Sequence, residues 1–183
     1  MSETDQYLID QFRTTGQVRF LEVVLQRHLP QVRRVVYQMV LDHDAADDVT
    51  QDVFLRVMKG LDRFEGRSEF STWLVRIAMN TAHTFLAKRS RTSVQFCDEL
   101  LDVSTDRHCS PEGLAVRAEV AANIRAALET LSPSLRAAIV LVCMHGRSAS
   151  EAAEIEDCST DTMYWRVHEA RRQLKQLLAN DLT

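Results

Sequence analysis

Between Cys158 and Leu178 the chain sets the polar trio Thr160, Asp161 and Thr162 ahead of two adjacent aromatics, Tyr164 and Trp165, followed by Arg166, His168, Arg171 and Arg172. These are the side chains that read a nucleic-acid duplex. A carboxylate accepts from a cytosine amine, hydroxyls such as Ser159 and Thr160 meet base edges or phosphate, and Arg forks guanine or phosphate. At about 100° per residue, Met163, Val167, Ala170 and Leu174 share one stripe, while Trp165, His168 and Arg172 fall on the far side and Tyr164, Arg171 and Lys175 on a flank. Both aromatics are therefore predicted to be exposed on a cationic face, which calls for a partner. The competing reading is an ordinary amphipathic helix whose aromatics lie against its neighbours.

A second constellation lies at 64–91. Phe64, Phe70 and Trp73 are interleaved with Arg67, Arg76, Lys88, Arg89 and Arg91, and Ser71, Thr72 and Asn80 add hydroxyl and amide groups. Aromatics beside cations suit unstacked bases on a single strand, and a base extruded from a duplex needs amide or hydroxyl partners. The alternative for Phe70 and Trp73 is burial in the core, and for the basic "KRSR" at 88–91 a solvated helix end. A third face runs along 44–61: Asp48, Gln51, Asp52, Leu55 and Lys59 oppose the apolar stripe Ala46, Val49, Val53, Val57 and Leu61. An exposed Leu among charges suits protein docking. A solvated face with one stray Leu is the plainer alternative.

The elements that must carry these residues are all helical. Helices are predicted over 3–14 and 17–42, with breaks near Gly16 and Pro30, then from Asp44 to about Leu61 and from Thr72 to Arg89, across a loop that begins at Asp62. Residues 92–109 show no lasting period. Ser110-Pro111-Glu112 opens a helix to about Leu131, and Ser132-Pro133 opens another that Gly146 ends. Ser148 with Glu151 has the spacing of a capping box, a short helix follows over 149–155, and Ser159 caps the last helix. Two helices across so tight a turn are a helix-turn-helix. The expected architecture is all-α, with two small helical domains at 1–91 and 120–183 joined by a flexible acidic linker at 92–119.

At 183 residues, with 45% hydrophobic and 26% charged side chains, the chain has the composition of a globular protein. The N-terminus lacks an apolar leader and no apolar run has the length to cross a bilayer, so a cytoplasmic location is expected. Cys97, Cys109, Cys143 and Cys158 have no zinc or disulfide spacing, and His108 beside Cys109 adds nothing that requires a metal. With no nucleophile–base pair, phosphate loop or metal cluster, neither enzyme chemistry nor a cofactor nor a small-molecule substrate is expected. The net charge of −4 is unevenly spread: residues 19–91 carry twelve Lys and Arg against nine acids, and residues 92–119 two against six. A strong stand-alone DNA binder is not expected from such a balance.

Taken together, these stretches resemble the extracytoplasmic-function sigma factors, the small members of the bacterial sigma-70 family. "DAADDVTQDVFLRVMKGLDRF" is similar to the family's polymerase-docking helix, "FSTWLVRIAMNTAHTFLAKRSR" to its −10-reading helix, and "LETLSPSLRAAIVLVCMHGRSASEAAEIEDCSTDTMYWRVHEARRQL" to its −35-reading domain. The resemblance covers about residues 18–91 and 120–178. It implies a subunit that directs core RNA polymerase to promoters and initiates transcription. Its implied partners are the β′ and β subunits, the −10 and −35 elements, and an anti-sigma factor, often membrane-bound. By position, Asp48, Gln51, Asp52, Leu55 and Arg56 would meet core polymerase. Phe64, Arg67, Phe70, Ser71, Thr72, Trp73, Arg76, Asn80, Lys88 and Arg89 would melt and read the −10 strand. Arg147, Ser159, Thr160, Asp161, Tyr164, Trp165, Arg166, Arg171 and Arg172 would face the −35 duplex. Three departures stand out: Asp157 in place of the turn Gly, where left-handed geometry is expected to survive, Tyr164-Trp165 in place of small or basic residues, and Glu169 in place of a cation. The alternative is a stand-alone helix-turn-helix repressor.

Overall fold

A computed structural model describes residues 3–92 and 111–180. The chain there is helical, with no strand among the described residues. Four helices form the N-terminal unit: α1 (Asp5–Thr15), α2 (Val18–Val40), α3 (His43–Gly60) and α4 (Phe70–Thr92). Thr4 caps α1 by accepting from the Tyr7 N–H, and Gly16 ends it at φ 68°, the left-handed conformation that glycine takes without a Cβ penalty. Asp42 caps α3 by accepting from the Ala45 N–H at 3.0 Å. The helix therefore starts one residue earlier than the expected Asp44.

Pro30 does not break α2. The helix runs through it to Val40. Pro30 lies on the exposed side, where the carbonyl it leaves unpaired can meet water, while Val24, Val32, Val35, Val36 and Met39 on the opposite side are sealed from solvent. Burial of that stripe outweighs the loss of one hydrogen bond. The chain instead turns at Leu41, which holds φ 62° while its side chain remains buried. The stripe Ala46, Val49, Val53, Val57 and Leu61 is buried as expected.

The C-terminal unit holds α5 (Pro111–Glu129), α6 (Pro133–Ala138), α7 (Ala149–Ile155) and α8 (Thr160–Asn180). The expected single helix after Pro133 divides: Ile139–Met144 form a π-helical turn, with the His145 N–H reaching back to the Val140 carbonyl at 3.0 Å. Gly146 then reverses the chain at φ 65°. The Ser148–Glu151 capping box forms in both directions. Asp157 holds φ 50°, so the turn survives without glycine, and Ser159 caps α8 by accepting from the Thr162 N–H at 3.1 Å. Of the predicted linker at 92–119, residues 93–110, with the cap residue Ser110 and with Cys97, His108 and Cys109, lie outside the described residues, whereas 111–119 are helical as the first half of α5.

The two units lie against each other. Ala137, Ala138, Val140, Leu141, Ala152, Ala153, Ile155, Met163 and Val167 belong to the same continuous core as Val36, Met39, Leu74 and Met79. α7 rests on α4, and α6 touches both α2 and α4. Arg136 joins the units from inside. It is 7% exposed and donates to the Leu128 carbonyl at 2.9 Å and the Met39 carbonyl at 2.6 Å. Both acceptors lie at helix C-terminal ends, where unpaired carbonyls attract a cation. Burial lowers the guanidinium pKa, yet an arginine remains charged at any ordinary pH.

Candidate nucleic-acid and polymerase interface

Loop 64–69 and the head of α4 form the first site. Arg13 of α1 holds the loop by donating to the Leu61 carbonyl at 2.6 Å. Asp5 receives Arg27 and His28, each at 2.6 Å. Although burial pushes the Asp5 carboxyl up, the His28 and Arg27 hydrogen bonds outweigh it and lower its pKa. His28 then meets the Phe70 ring edge-on at 5.5 Å. Phe64, Phe70 and Trp73 form a triangle with ring centroids 5.1 to 5.6 Å apart.

Three of the expected −10 contacts have little exposed surface in this structure. Phe64, Phe70 and Thr72 are buried, because the loop folds back over α4 and their apolar surface completes the core. Phe64 nonetheless lines the cleft beside Trp73, whereas Phe70 and Thr72 face the core. Phe64 and Phe70 pack against Trp73, which is mostly buried and stands at the wall of an open cleft of about 320 Å³ that Arg63, Glu65, Arg67, Arg76 and Glu154 also line. Arg63 is not among the residues expected at this site; its place beside Phe64 is the signal for it in the sequence. Asn80, Lys88 and Arg89 are exposed along α4. Arg89 lies 3.5 Å from the α3 cap Asp42.

The second site is the helix-turn-helix. Tyr164 and Trp165 are 63% and 62% exposed, whereas Met163 and Ala170 are sealed, so the wheel placed both aromatics on the solvent side correctly. Asp161, Arg171 and Arg172 are exposed beside them. Arg172 is engaged by Glu169 at 2.6 Å. That pairing, with a hydrogen bond from Gln173, holds the Glu169 carboxyl down to about 2. Arg171 donates to the Cys143 Sγ at 3.3 Å. Two expected contacts turn inward. Arg166 is paired with Glu156 at 3.5 Å. Arg147 donates to Glu151 at 3.2 Å and to the Ser71 Oγ of α4 at 3.4 Å. In this arrangement both serve the protein rather than a free reading face.

The third site is the outer face of α3. Asp48, Gln51, Asp52, Leu55 and Arg56 are all exposed, and Leu55 is 53% so. Beside it, α2 and α3 frame an apolar groove of about 470 Å³ lined by Val18, Leu25, Leu29, Phe54 and Met58. Helical spacing marks Leu55 but not this groove, whose apolar residues come from two helices at unrelated spacing. Among the described residues, no helix is long and apolar enough to cross a membrane.

Comparison with known proteins divides the chain in the same way. The family model described as Sigma-70 region 2 matches residues 24–92, and that described as Sigma-70, region 4 matches residues 121–174. The ECF RNA polymerase sigma-E factor of Escherichia coli K12 is 31% identical, covering 95% of both chains. The RNA polymerase sigma-H factor of Pseudomonas aeruginosa PAO1 is 28% identical over 96% of this chain and 94% of its own. Among solved structures, CnrH in complex with the cytosolic domain of CnrY superposes with a TM-score of 0.72 at 25% identity, covering 98% of this chain and 99% of that one. The sigma factor RpoE of Bartonella quintana, in complex with the anti-sigma factor NepR, gives 0.70 at 28% identity, over 87% of this chain and 96% of that one.

Proposed function

The chain belongs to the extracytoplasmic-function branch of the sigma-70 family of transcription initiation factors, and from that premise we propose that it directs core RNA polymerase to promoters by dividing the reading between its two units. The C-terminal unit holds the −35 duplex, with the start of α8 in the major groove and Tyr164, Trp165, Asp161 and Arg171 toward the bases and backbone. The N-terminal unit captures the melted −10 strand. The observation that carries this reading is the cleft walled by Trp73 and ringed by Arg63, Arg67 and Arg76, with the exposed Asn80 further along α4. A stacking face among cations receives an unpaired base, and every base so trapped shifts the duplex toward its open form.

The face of α3 carrying Asp48, Gln51, Asp52, Leu55 and Arg56 docks on the polymerase. Both units bind DNA weakly by themselves, since the chain carries a net charge of −4. Polymerase supplies the affinity by holding both at once, which raises their effective concentration on one promoter without new contacts. The chain needs no catalytic step of its own. It acts in the cytoplasm, where polymerase is, and an anti-sigma factor, membrane-associated in this reading, restrains it. Two of the similar solved structures are complexes with a protein partner, and for one the partner is an anti-sigma factor. The repressor alternative leaves the α4 cleft without a purpose.

Run-off transcription with purified core polymerase tests the proposal. Transcripts that require both the chain and the polymerase are expected. Tight palindrome binding by the isolated chain, with no polymerase-dependent transcript, would favour the repressor instead.

A further inference from the structure

The last turn of α7 and the turn after it carry Glu154, Glu156 and Asp157, and in this structure two of those acids rest on the helix assigned to the −10 strand. Arg76 Nη2 donates to the Glu154 backbone carbonyl at 2.6 Å and to its carboxylate at 3.2 Å. His83 Nε2 lies 3.1 Å and 3.2 Å from the two Glu156 carboxylate oxygens. Glu154 also closes one wall of the cleft beside Trp73. We propose that this acidic turn is an internal stand-in for promoter DNA, occupying the base-reading face of the N-terminal unit and keeping the free chain closed. The inference rests on the reading of Arg76 and Trp73 as −10 contacts.

Three features support the turn as an occupant and not a permanent joint. First, Glu156 is a carboxylate whose side chain is only 6% exposed. It is held from both sides, by Arg166 of its own unit at 3.5 Å and by the His83 ring nitrogen of the other at 3.1 Å. On separation Arg166 can remain with it, so opening strands no buried charge. Second, Arg76 is incompletely satisfied. Its Nε is one of two buried side-chain polar atoms without a partner among the described residues, the other being the Thr50 hydroxyl. A guanidinium offers a planar fork that a phosphate or base edge fills along two N–H groups. The turn fills one edge only, so a nucleic acid can displace it. Third, α7 meets α4 through small side chains, with Ala152 and Ala153 among its buried residues. These two bury little apolar area, while Ile155 beside them joins the shared core, so closure is set by the polar pins together with that core and Arg136.

Closure also excludes promoter engagement by distance. The −10 and −35 elements are separate stretches of one promoter, and the duplex rises about 3.4 Å with each base pair between them. Here a residue of each reading unit is within a hydrogen bond of the other, as Arg147 and Ser71 are at 3.4 Å. One chain cannot satisfy both arrangements. A competent form that is rarely populated lowers apparent affinity in proportion.

The test uses the full chain as Glu154→Ala, alone and with Glu156→Gln. Glu154 is about half-exposed, so the single variant keeps its fold even if the double does not. Small-angle scattering reads the radius of gyration. Fluorescence anisotropy reads binding to a labelled oligothymidine of about 20 nucleotides, without polymerase. Removal of two acids elsewhere, Glu22→Ala with Asp44→Ala, controls for net charge. The expected result is a larger radius and at least about tenfold tighter oligothymidine binding than either wild type or the control. An unchanged radius, or expansion with no gain over the charge control, overturns the proposal. Binding of the wild-type chain to core polymerase is measured alongside. Its failure counts against the proposed function, whereas the oligothymidine and scattering results bear on the latch alone.

Discussion

Met163 and Trp165 stand two positions apart on α8 and have opposite fates, one sealed and the other 62% exposed. Truncating Met163 to Ala is expected to cost about 2–5 kcal/mol, as for other buried side chains of that size. Trp165→Ala is expected to change stability by no more than about 0.5 kcal/mol while altering −35 preference. Thermal unfolding and binding to a promoter library by the holoenzyme check the pair. If Trp165→Ala unfolds the unit, the aromatic is structural. Asn80 allows a second separation. Its exposed amide sits on the melting unit, so Asn80→Ala is expected to lower open-complex formation severalfold and leave −35 duplex binding intact, as permanganate footprinting and duplex titration would show. Helical periodicity sufficed to place Met163 and Trp165, because a wheel depends only on local geometry. Phe70 and Phe64 could not be placed that way. Their burial is decided by a loop folding back over α4, a contact across sequence that no local period contains.

The elements themselves were legible wherever a side chain caps a backbone end. The Ser148–Glu151 box and the bounds of α7 at Ala149–Ile155 came out as the spacing predicts. Ser148→Ala is expected to remove about 1 kcal/mol, read as a lower midpoint for the C-terminal unit in denaturant. Proline 30 and the run Ile139–Met144 resisted the same logic. Proline stops a helix only when its freed carbonyl has no other partner, and a buried stripe on the opposite side kept α2 whole. A widened π turn has no composition of its own. It follows from how Ile139, Val140 and Leu141 must be buried before the chain reverses at Gly146.

For the whole molecule, the sequence pointed to two modules with a tether, while their mutual packing stayed hidden, since small residues such as Ala152 and Ala153 give no directional signal. That packing carries a pH dependence. His145 lies 2.7 Å from the Gln38 amide oxygen of the other unit. Burial, with Arg34 and Arg147 nearby, holds its pKa below the usual 6.5. The closed chain therefore binds fewer protons here than the unfolded chain, so this contribution is complete above about pH 6.5 and is lost as pH falls below it. The expected outcome is a melting temperature that drops between pH 7.5 and 5.5, with a shallower drop in His145→Gln. An identical slope in that variant would assign the dependence elsewhere.

Arg136 adds one more consequence. Its partners are main-chain oxygens of Met39, Leu128, Glu129 and Leu131, and every amino acid supplies that atom. The bolt between the halves thus checks the path of the polypeptide, not the identity of the residues along it. Substitutions at those four positions can accumulate without unfastening it, provided each helix still ends in the same place, whereas position 136 itself tolerates no shorter or less branched cation.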